Sequence, residues 1–253
     1  GMRQTLLFGG LESIAYNTNR QNKNLKFYEF GNCYFYKGTE LKDHPERNYW
    51  EEEHLGLFVS GNKEVENWSI KEQPASFYGL KTYSENILKR LGFKIKQIQI
   101  SETENELFST GLAYKSNNKI IVEIGLVSTN FLKKFDIENP VFYADFDWGQ
   151  ILVQKKRHKV TFEELPKFPA VKRDLALLMD KQIMFSQIKD IAFKIERQLL
   201  RQVDLFDVYE GKGIPAGKKS YAVSFILRDD QRTLTDKQID KTMQKLIAAF
   251  GRE

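Results

Sequence analysis

The C-terminal part of the chain alternates strand-like and helix-like segments in a fixed order, and this order limits the fold more than any single motif. Residues 173–179, 203–209 and 221–227 are short runs rich in apolar and β-branched side chains, as is typical of strands. Residues 185–200 repeat apolar side chains at the spacing of a buried helix face. A second helix is expected after Thr235. The resulting order, β-α-β-β-α, predicts a ferredoxin-like βαββαβ unit whose last strand is missing.

The second of these helices carries two signals at its start. Thr235 is followed three positions later by Gln238, which is the spacing of a capping box. Leu234 and Ile239 stand where a hydrophobic staple would form. The sequence reaches Glu253 where the final strand would begin, and that strand is therefore expected to be missing.

The N-terminal part combines one clear helix with several strands. Residues 76–91 place apolar side chains in helical phase, and Gly92 follows as a stop signal. Strands are predicted at residues 25–36, 55–60, 95–100, 111–115, 119–126 and 141–146. Because short connections join consecutive strands, we expect an antiparallel sheet with helices on one face, and an α+β fold for the chain as a whole.

Charge is distributed unevenly along the chain. Residues 155–253 contain 21 Lys and Arg against 14 Asp and Glu, a net charge of +7, whereas residues 1–154 contain 18 against 20, a net charge of −2. This asymmetry predicts a polyanionic partner for the C-terminal part, and an ordinary solvated basic surface is the alternative. Clustered charge at residues 155–159, followed by Pro166 and Pro169, disfavours a continuous helix there. We expect domains at residues 1–154 and 167–253, joined by a linker at residues 155–166.

The residues that enzymes and metal sites commonly use are scarce. Cys33 is the only cysteine, and His44, His54 and His158 show no paired ligand spacing, so neither a disulfide nor a structural zinc site is expected. The sequence contains no Gly-x-Ser-x-Gly elbow and no GxGxxG motif. No segment approaches the roughly eighteen apolar residues of a membrane span. We expect a cytoplasmic protein without membrane association, and no catalytic residue or metal site in this chain.

Residues 211–219 resemble a phosphate-binding P-loop only superficially. Five residues separate Gly211 from Gly217, where the motif has four, and Lys219 occupies the position of the Ser or Thr that ligates Mg²⁺. The segment also precedes a predicted strand, whereas this kind of phosphate site needs the N-terminus of a helix. No nucleotide site is expected there.

Three runs carry a family resemblance, at residues 167–176, 204–214 and 219–227, the last followed by residues 230–235. Their sequence, order and spacing closely resemble the ferredoxin-fold anticodon-binding domain that ends the β subunit of bacterial phenylalanyl-tRNA synthetases. The resemblance covers residues 167–250.

The N-terminal part resembles the catalytic-like module that precedes that domain in the same subunit. The resemblance is carried by residues 16–21, 27–31, Asn67-Trp68 and 77–81, and more loosely by 125–127 and 131–136. Such a module is related to class II synthetase catalytic domains but has lost their catalytic residues. In agreement, residues 27–31 contain no arginine that could bind ATP. The chain resembles the C-terminal third of a β subunit.

The resemblance implies an α₂β₂ enzyme that joins phenylalanine to tRNA-Phe with ATP and Mg²⁺, with catalysis on the α subunit. Residues 1–154 are then structural, and residues 167–253 contact the anticodon region of the tRNA. Lys and Arg side chains would neutralise phosphates, and aromatic or Arg planes would stack on unpaired bases. The candidate tRNA-binding residues are Phe168, Arg173, Tyr209, Lys212, Lys218, Lys219, Tyr221 and Arg228.

Several of these candidates are also compatible with structural roles. Strand parity is compatible with a core position for Tyr221, and Arg173 is compatible with an ion pair to Asp174 or Asp207. The lysines of the turn are compatible with ordinary solubilising residues. For the function, one alternative is an architectural or small-molecule-binding α/β module without an RNA role. The other is a self-sufficient synthetase, against which the missing ATP-binding arginines count.

Overall fold

A computed structural model describes residues 2–38, 48–155 and 165–251. The chain divides into two compact units, residues 1–160 and 161–253. Most of the predicted linker, residues 156–164, lies outside the described residues. Among the helices that are described, none is both long and apolar enough to span a membrane.

The first unit is built on a six-stranded antiparallel sheet and a short separate two-stranded ribbon. Its helices are α1 (Leu7–Thr18), α2 (Phe77–Arg90), α3 (Thr129–Lys134) and α4 (Trp148–Gln154). Its strands are β1 (Leu25–Tyr36), β2 (Tyr49–Ser60), β3 (Asn62–Glu64), β4 (Gln73–Pro74), β5 (Gln99–Glu102), β6 (Phe108–Ser116), β7 (Lys119–Val127) and β8 (Val141–Asp147). The large sheet has the order β1-β2-β8-β7-β6-β5, and β3 and β4 form the ribbon.

The two faces of the large sheet bury different helices. Alternate residues of β2 point to opposite faces, and Leu55 and Val59 pack in one apolar cluster with Leu80 of α2. Phe58 points the other way and packs in a second cluster with Leu11 of α1. The prediction of helices on one face is therefore wrong. The adjacent glycines of α1 lower its intrinsic helix propensity, which hid this helix from a pattern-based prediction.

Helix α1 approaches the sheet closely at Gly10. A Cβ added at this position would lie 2.0 Å from Cε1 of Phe58. At the preceding Gly9, the nearest atom to an added Cβ would be Oε2 of Glu29 at 4.0 Å. Only the second glycine is thus required by packing.

Helix α2 confirms the clearest sequence prediction of this unit. The hydroxyl of Ser76 accepts a hydrogen bond of 3.2 Å from the backbone N–H of Gly79, which caps the helix N-terminus. Gly92 follows the helix with φ at +90°, a conformation that favours glycine.

The strand predicted at residues 95–100 is only partly correct. Residues Ile95–Gln97 form a 3₁₀ turn, and β5 begins at Gln99. Ile95 and Ile98 are three residues apart, which is the period of a 3₁₀ turn, and Ile98 is buried. The three-residue spacing of Ile95 and Ile98 was a helical signal, but the run also contains the alternation of apolar and polar residues that is typical of a strand.

The second unit contains β9 (Val171–Asp180), α5 (Phe185–Ile195), β10 (Leu200–Tyr209), β11 (Lys218–Leu227) and α6 (Asp236–Phe250). Its three strands form an antiparallel sheet in the order β10-β11-β9. The predicted β-α-β-β-α order and the α+β class with antiparallel sheets are confirmed. The first helix is shorter than predicted, because it ends at Ile195 and Leu200 already belongs to β10.

Helix α6 begins with the predicted capping box. The backbone N–H of Thr235 donates a hydrogen bond of 3.1 Å to Oε1 of Gln238. Leu234 and Ile239 are both buried, in the same apolar cluster as Leu246. The sequence signals therefore place the start of this helix correctly.

Strand β9 is an outer strand of the sheet in the described part of this unit. Beside it lies a cavity of about 390 Å³, lined mostly by apolar residues that include Leu177, Met179, Ile188 and Phe250. The outer backbone groups of β9 pair with no strand of the described residues.

Candidate nucleic-acid interface

One face of the three-stranded sheet is not covered by α5 or α6. Along β11, Val223 and Phe225 point toward these helices and share their apolar core. Ala222 and Ser224 therefore point to the opposite face, called here the open face. The open face consists of Ser220, Ala222 and Ser224 with their strand partners Tyr209, Asp207 and Asp204 on β10 and Leu178, Ala176 and Asp174 on β9. Its central strand is lined by small side chains.

Phe206 is an exposed ring that the sequence analysis did not single out. The register of β10 against β11 shifts between Leu205 and Asp207, so Phe206 lies at a β-bulge. At a bulge, successive side chains do not simply alternate between the two faces of the sheet. The ring is 57% exposed. The ammonium group of Lys172 lies 5.3 Å from the ring centroid, within the range of a cation–π interaction. Lys172 lies two residues before Asp174 on β9 and so points to the same open face. Phe206 therefore lies there too.

Tyr209 ends β10 and is 47% exposed. Its hydroxyl donates a hydrogen bond of 3.1 Å to the carbonyl oxygen of Lys212. A Cβ added at Gly211 would lie 2.7 Å from the Tyr209 hydroxyl, so the ring lies directly against the turn. The turn thus fixes the orientation of a partly exposed ring.

Exposed lysines surround the same end of the sheet. Nζ of Lys218 lies 3.1 Å from the Asp180 carboxylate, and Nζ of Lys181 lies 2.6 Å from the Glu210 carboxylate. The hydrogen bond from Lys181 lowers the pKa of Glu210. Lys212 is also exposed. Exposed ion pairs of this kind exchange partners at little cost in free energy.

Two of the candidate residues belong to the interior instead. Tyr221 is buried in the apolar core, and its hydroxyl donates a hydrogen bond of 3.3 Å to the carbonyl oxygen of Ile183. Lys219 is buried as well, and its ammonium group donates to the carbonyl oxygen of Lys181 at 2.7 Å and lies 4.6 Å from the Tyr221 ring. Both point to the helix-covered face because they share the parity of Val223. A buried ring offers no surface for stacking on a base.

Arg173 makes neither of the ion pairs that the sequence left open, within the described ranges. It is in register with Phe225, and its guanidinium donates a hydrogen bond of 3.1 Å to the carbonyl oxygen of Lys172. The Asp174 carboxylate instead accepts a hydrogen bond of 2.6 Å from Ser224.

Arg228 and Phe168 lie away from the turn. Nε of Arg228 donates to the Asp230 carboxylate at 2.9 Å, and Arg201 binds the same carboxylate at 2.6 Å. Phe168 is half-buried in the segment before β9. A ten-residue strand is about 33 Å long. Lys218 is the first residue of β11, and Arg228 directly follows its last residue. The fold brings together Tyr209, Lys212 and Lys218, but not Arg228.

The turn at residues 211–217 leads directly into β11 and precedes no helix, which agrees with the rejection of a P-loop. Across residues 2–38, 48–155 and 165–251, no group of three His, Cys, Asp or Glu side chains is arranged to hold a metal ion. His44 and His158 lie outside the described residues.

His54 belongs to a partly buried polar cluster of the first unit. Its Nδ1 lies 2.7 Å from Oδ1 of Asp145, and its Nε2 lies 3.5 Å from Oε2 of Glu52. Burial by itself lowers the pKa of His54. The hydrogen bonds and charges of the neighbouring carboxylates raise this pKa by more than burial lowers it, so the net pKa lies above the ordinary value. Asp147 in the same cluster is an acid, and burial therefore raises its pKa. The arrangement stabilises a protonated imidazole.

Two family models match the chain. The model described as Phenylalanyl tRNA synthetase beta chain CLM domain matches residues 1–148. The model described as Ferredoxin-fold anticodon binding domain matches residues 166–253. The two matches fall on the first and the second unit of the fold.

Several curated phenylalanine–tRNA ligase beta subunits match nearly the whole chain. The chain is 50% identical over 250 residues to the phenylalanine–tRNA ligase beta subunit of Bacteroides thetaiotaomicron, covering 97% of this chain and 30% of the relative. It is 42% identical to that of Porphyromonas gingivalis, covering 97% and 30%, and 33% identical to that of Syntrophotalea carbinolica, covering 100% and 31%. The chain thus spans about 30% of the length of these relatives.

A solved structure, pyrrolysyl-tRNA synthetase from Desulfitobacterium hafniense, overlaps 60% of this chain and 48% of that chain. The sequence identity is 14% and the TM-score is 0.42, a similarity too low to carry an argument about the fold.

Proposed function

The chain belongs to the family of phenylalanyl-tRNA synthetase β chains, and on this premise we propose that it contributes tRNA binding and subunit architecture to an enzyme that charges tRNA-Phe. The second unit contacts the anticodon region through its open face. One observation carries this proposal: two exposed rings, Phe206 and Tyr209, share that face with exposed lysines. The family match supports an RNA role over a purely architectural or small-molecule-binding module.

The lysines and the rings have separate tasks in this proposal. Lys212 and Lys218 neutralise phosphates near the turn, which positions the RNA without reading its sequence. Phe206 and Tyr209 stack on bases of an unpaired loop. The small side chains of β11, such as Ala222, let Lys172 reach the Phe206 ring across this face.

The carboxylates of the open face favour bases over phosphates at its centre. Asp174, Asp204 and Asp207 lie on this face. They repel phosphate groups but accept hydrogen bonds from the amino groups of bases. The phosphate backbone therefore follows the lysine-rich end, while the bases lie over the middle of the sheet.

The remaining candidates have smaller parts in the proposal. Arg173, Arg228 and Phe168 serve contacts outside the turn, with Arg228 beyond the far end of β11. Lys219 and Tyr221 are left out because they are buried.

The first unit supplies surface to the α subunit of an α₂β₂ tetramer in this proposal. Tyr28 and Phe30 are exposed on the outer strand β1, and the Phe30 ring packs edge-on against Trp148 at 5.1 Å. Beside them lies a groove of about 400 Å³ whose lining is almost wholly apolar and includes Leu57 and Tyr83. Exposed aromatic surface of this kind is typical of protein interfaces.

Catalysis lies on the α subunit in this proposal, where ATP and Mg²⁺ supply the adenylation chemistry. No step is assigned to this chain, because residues 27–31 contain no arginine that could bind ATP. The proposed location of the protein is the cytoplasm. ATP–pyrophosphate exchange by this chain alone, with phenylalanine and without an α subunit, would contradict this assignment.

Competition binding tests the RNA role directly. The 253-residue chain is titrated into fluorescent tRNA-Phe at low salt, and unlabelled hairpins from the anticodon arm and from the acceptor stem are added as competitors. We expect the anticodon hairpin to displace the tRNA at concentrations at least tenfold lower than the acceptor hairpin. Equal competition, or the same displacement by heparin at matched charge, would leave only a solvated basic surface.

A further inference from the structure

The connection between β3 and β4, residues 65–72, presents a tryptophan almost wholly to solvent. Trp68 is 98% exposed, and Val65 and Ile70 in the same connection are exposed as well. The Trp68 ring is thus left almost uncovered by the rest of the described chain. The segment is called here the Trp68 tip.

Hydrogen bonds hold the Trp68 tip in a defined turn. Oδ1 of Asn67 accepts from the backbone N–H and the hydroxyl of Ser69, both at 2.9 Å, and from the N–H of Ile70 at 3.1 Å. The N–H of Asn67 donates to the carbonyl oxygen of Ile70 at 3.0 Å. At the base of the ribbon, the Asn62 amide binds the Glu72 carboxylate. Because the turn is already ordered, docking it loses little conformational entropy.

The charge around the tip indicates which class of partner fits. Residues 64–72 contain three carboxylates, Glu64, Glu66 and Glu72, against the single cation Lys71. Phosphates of an RNA would be repelled, and a second copy of the same tip would bring like charges together. A protein surface with Lys or Arg around an apolar depression complements both the indole and its acidic surroundings.

We propose that the Trp68 tip is a protein-docking anchor whose indole inserts into an apolar pocket, edged by Lys or Arg, on the α subunit. This inference rests on the proposed function, which supplies the α subunit as the partner of the first unit. A tryptophan buried in a pocket and surrounded by polar contacts is the usual composition of an energetic hot spot. Asn67 is a positioning residue, because it orients the tip without contacting the partner.

Affinity measurements with substituted chains test the anchor. The 253-residue chain is titrated against the α subunit encoded in the same genome. Trp68→Ala should weaken binding about 30-fold or more, as expected for a hot spot. The control is Tyr78→Ala, which removes a ring that is 77% exposed but lies outside the tip, and it should change the affinity less than about twofold. Both variants should keep the parent circular dichroism, since neither ring is buried.

The positioning role of Asn67 has its own test. Asn67→Ala removes three acceptor contacts and should weaken α-subunit binding several-fold. Asn67→Asp keeps an oxygen in the same place and should restore most of the affinity. A merely structural role of Asn67 would lower the thermal stability without this rescue of binding.

A spectroscopic measurement reports the burial of the indole itself. The chain contains three tryptophans, so 5-fluorotryptophan labelling gives three ¹⁹F signals, and Trp68→Phe assigns one of them. On addition of unlabelled α subunit, the Trp68 signal should shift. Its chemical shift should then no longer differ between H₂O and D₂O. The signals of Trp50 and Trp148 serve as internal references.

The outcomes separate this inference from the proposed function. If the parent chain forms no complex with the α subunit, both fail. If the complex forms and Trp68→Ala leaves both affinity and oligomeric state unchanged, the anchor alone is wrong. If Trp68→Ala weakens tRNA binding or self-association instead, the tip serves RNA or a second copy, and the inference is likewise overturned.

Discussion

The ammonium group of Lys172 lies 5.3 Å from the centre of the Phe206 ring, although the whole of strand β11 separates the two residues in the sheet. The contact crosses the small side chains of Ala222 and Ser224, which do not obstruct it. A base that stacks on Phe206 would keep this cation close to its own phosphate. One pair of side chains can thus serve both the stacking and the charge contribution to RNA binding.

Phe206→Ala and Tyr209→Ala should each weaken tRNA-Phe binding, because each removes a stacking surface. The expected loss is about 1–3 kcal/mol, or roughly 5- to 150-fold in the dissociation constant. The matched control is Val208→Ala, which removes a similarly exposed side chain from the same strand on the opposite face. Fluorescence anisotropy at two salt concentrations should give losses that are nearly independent of salt. An equal loss for Val208→Ala would mean that β10 is simply destabilised.

Reversing two charges near the turn should weaken binding in a salt-dependent way. The Lys212→Glu and Lys218→Glu double variant removes two phosphate contacts, and the slope of log K against log salt should fall by about 1.4–1.8 in magnitude. Lys237→Glu with Lys241→Glu makes the same change of net charge on the exposed side of α6 and is the control. Equal effects from both pairs would show that only the overall charge matters. Circular dichroism checks the fold, because Lys218 also pairs with Asp180.

Local signals made much of this fold predictable from the sequence. The place of α2 with its stop at Gly92, the capping box of α6 and the order of elements after residue 171 depend on neighbouring residues and were predicted correctly. The hairpin asparagines Asn117 and Asn118 have positive φ, as their turn requires. These features need no knowledge of tertiary packing.

The candidate site was harder to predict, because it depends on strand faces. Strict alternation places Phe206 and Tyr209 on opposite faces, and only the bulge in β10 brings them to the same one. The choice between core and surface for Tyr221 depends on which face the helices cover, and parity alone cannot decide that. The apolar spacing of α1 was hidden by Gly9 and Gly10, whose packing role appears only with Phe58 in place.

Gly10→Ala should destabilise the first unit, because the new methyl group would overlap the Phe58 ring. Overpacking of this kind costs about 1–3 kcal/mol of the free energy of unfolding. Gly9→Ala, one residue earlier in the same helix, has open space and should stabilise the unit by up to about 1 kcal/mol. Urea denaturation measures both. The same sign of change for the two variants would contradict the packing argument.

The free energy of unfolding of the first unit should fall as the pH rises through the pKa of His54. That pKa is raised in the folded state, so the folded state binds the proton more tightly than the unfolded state does. The stabilisation is therefore complete below the unfolded-state pKa of about 6.5 and is lost as the pH passes the folded-state value. His54→Gln should flatten the dependence on pH above the unfolded-state pKa. Parallel curves for parent and variant would assign the dependence to another group.

The pKa of Asp147 is also raised, and the sign of its contribution is the same: stabilisation below its unfolded-state value that is lost as the pH rises. An aspartate titrates at a lower pH than a histidine. Extending the measurement down to pH 3.5 separates the two groups.

Limited trypsin digestion should cut first within residues 155–159, because these basic residues are expected in the linker between two folded units. Mass spectrometry identifies the first products. Early cuts inside α2 would place the boundary elsewhere, and Arg90→Gln offers a control by removing one trypsin site from that helix.

Strand β9 has a practical consequence for anyone who handles this chain. Its outer N–H and C=O groups find no strand partner within the described residues, and an apolar cavity lies alongside. Such an edge is a template on which another extended segment adds by hydrogen bonding. In concentrated samples, the β9 strand of a neighbouring molecule is the most abundant extended segment that can pair with this edge. We therefore expect reversible turbidity that increases with protein concentration.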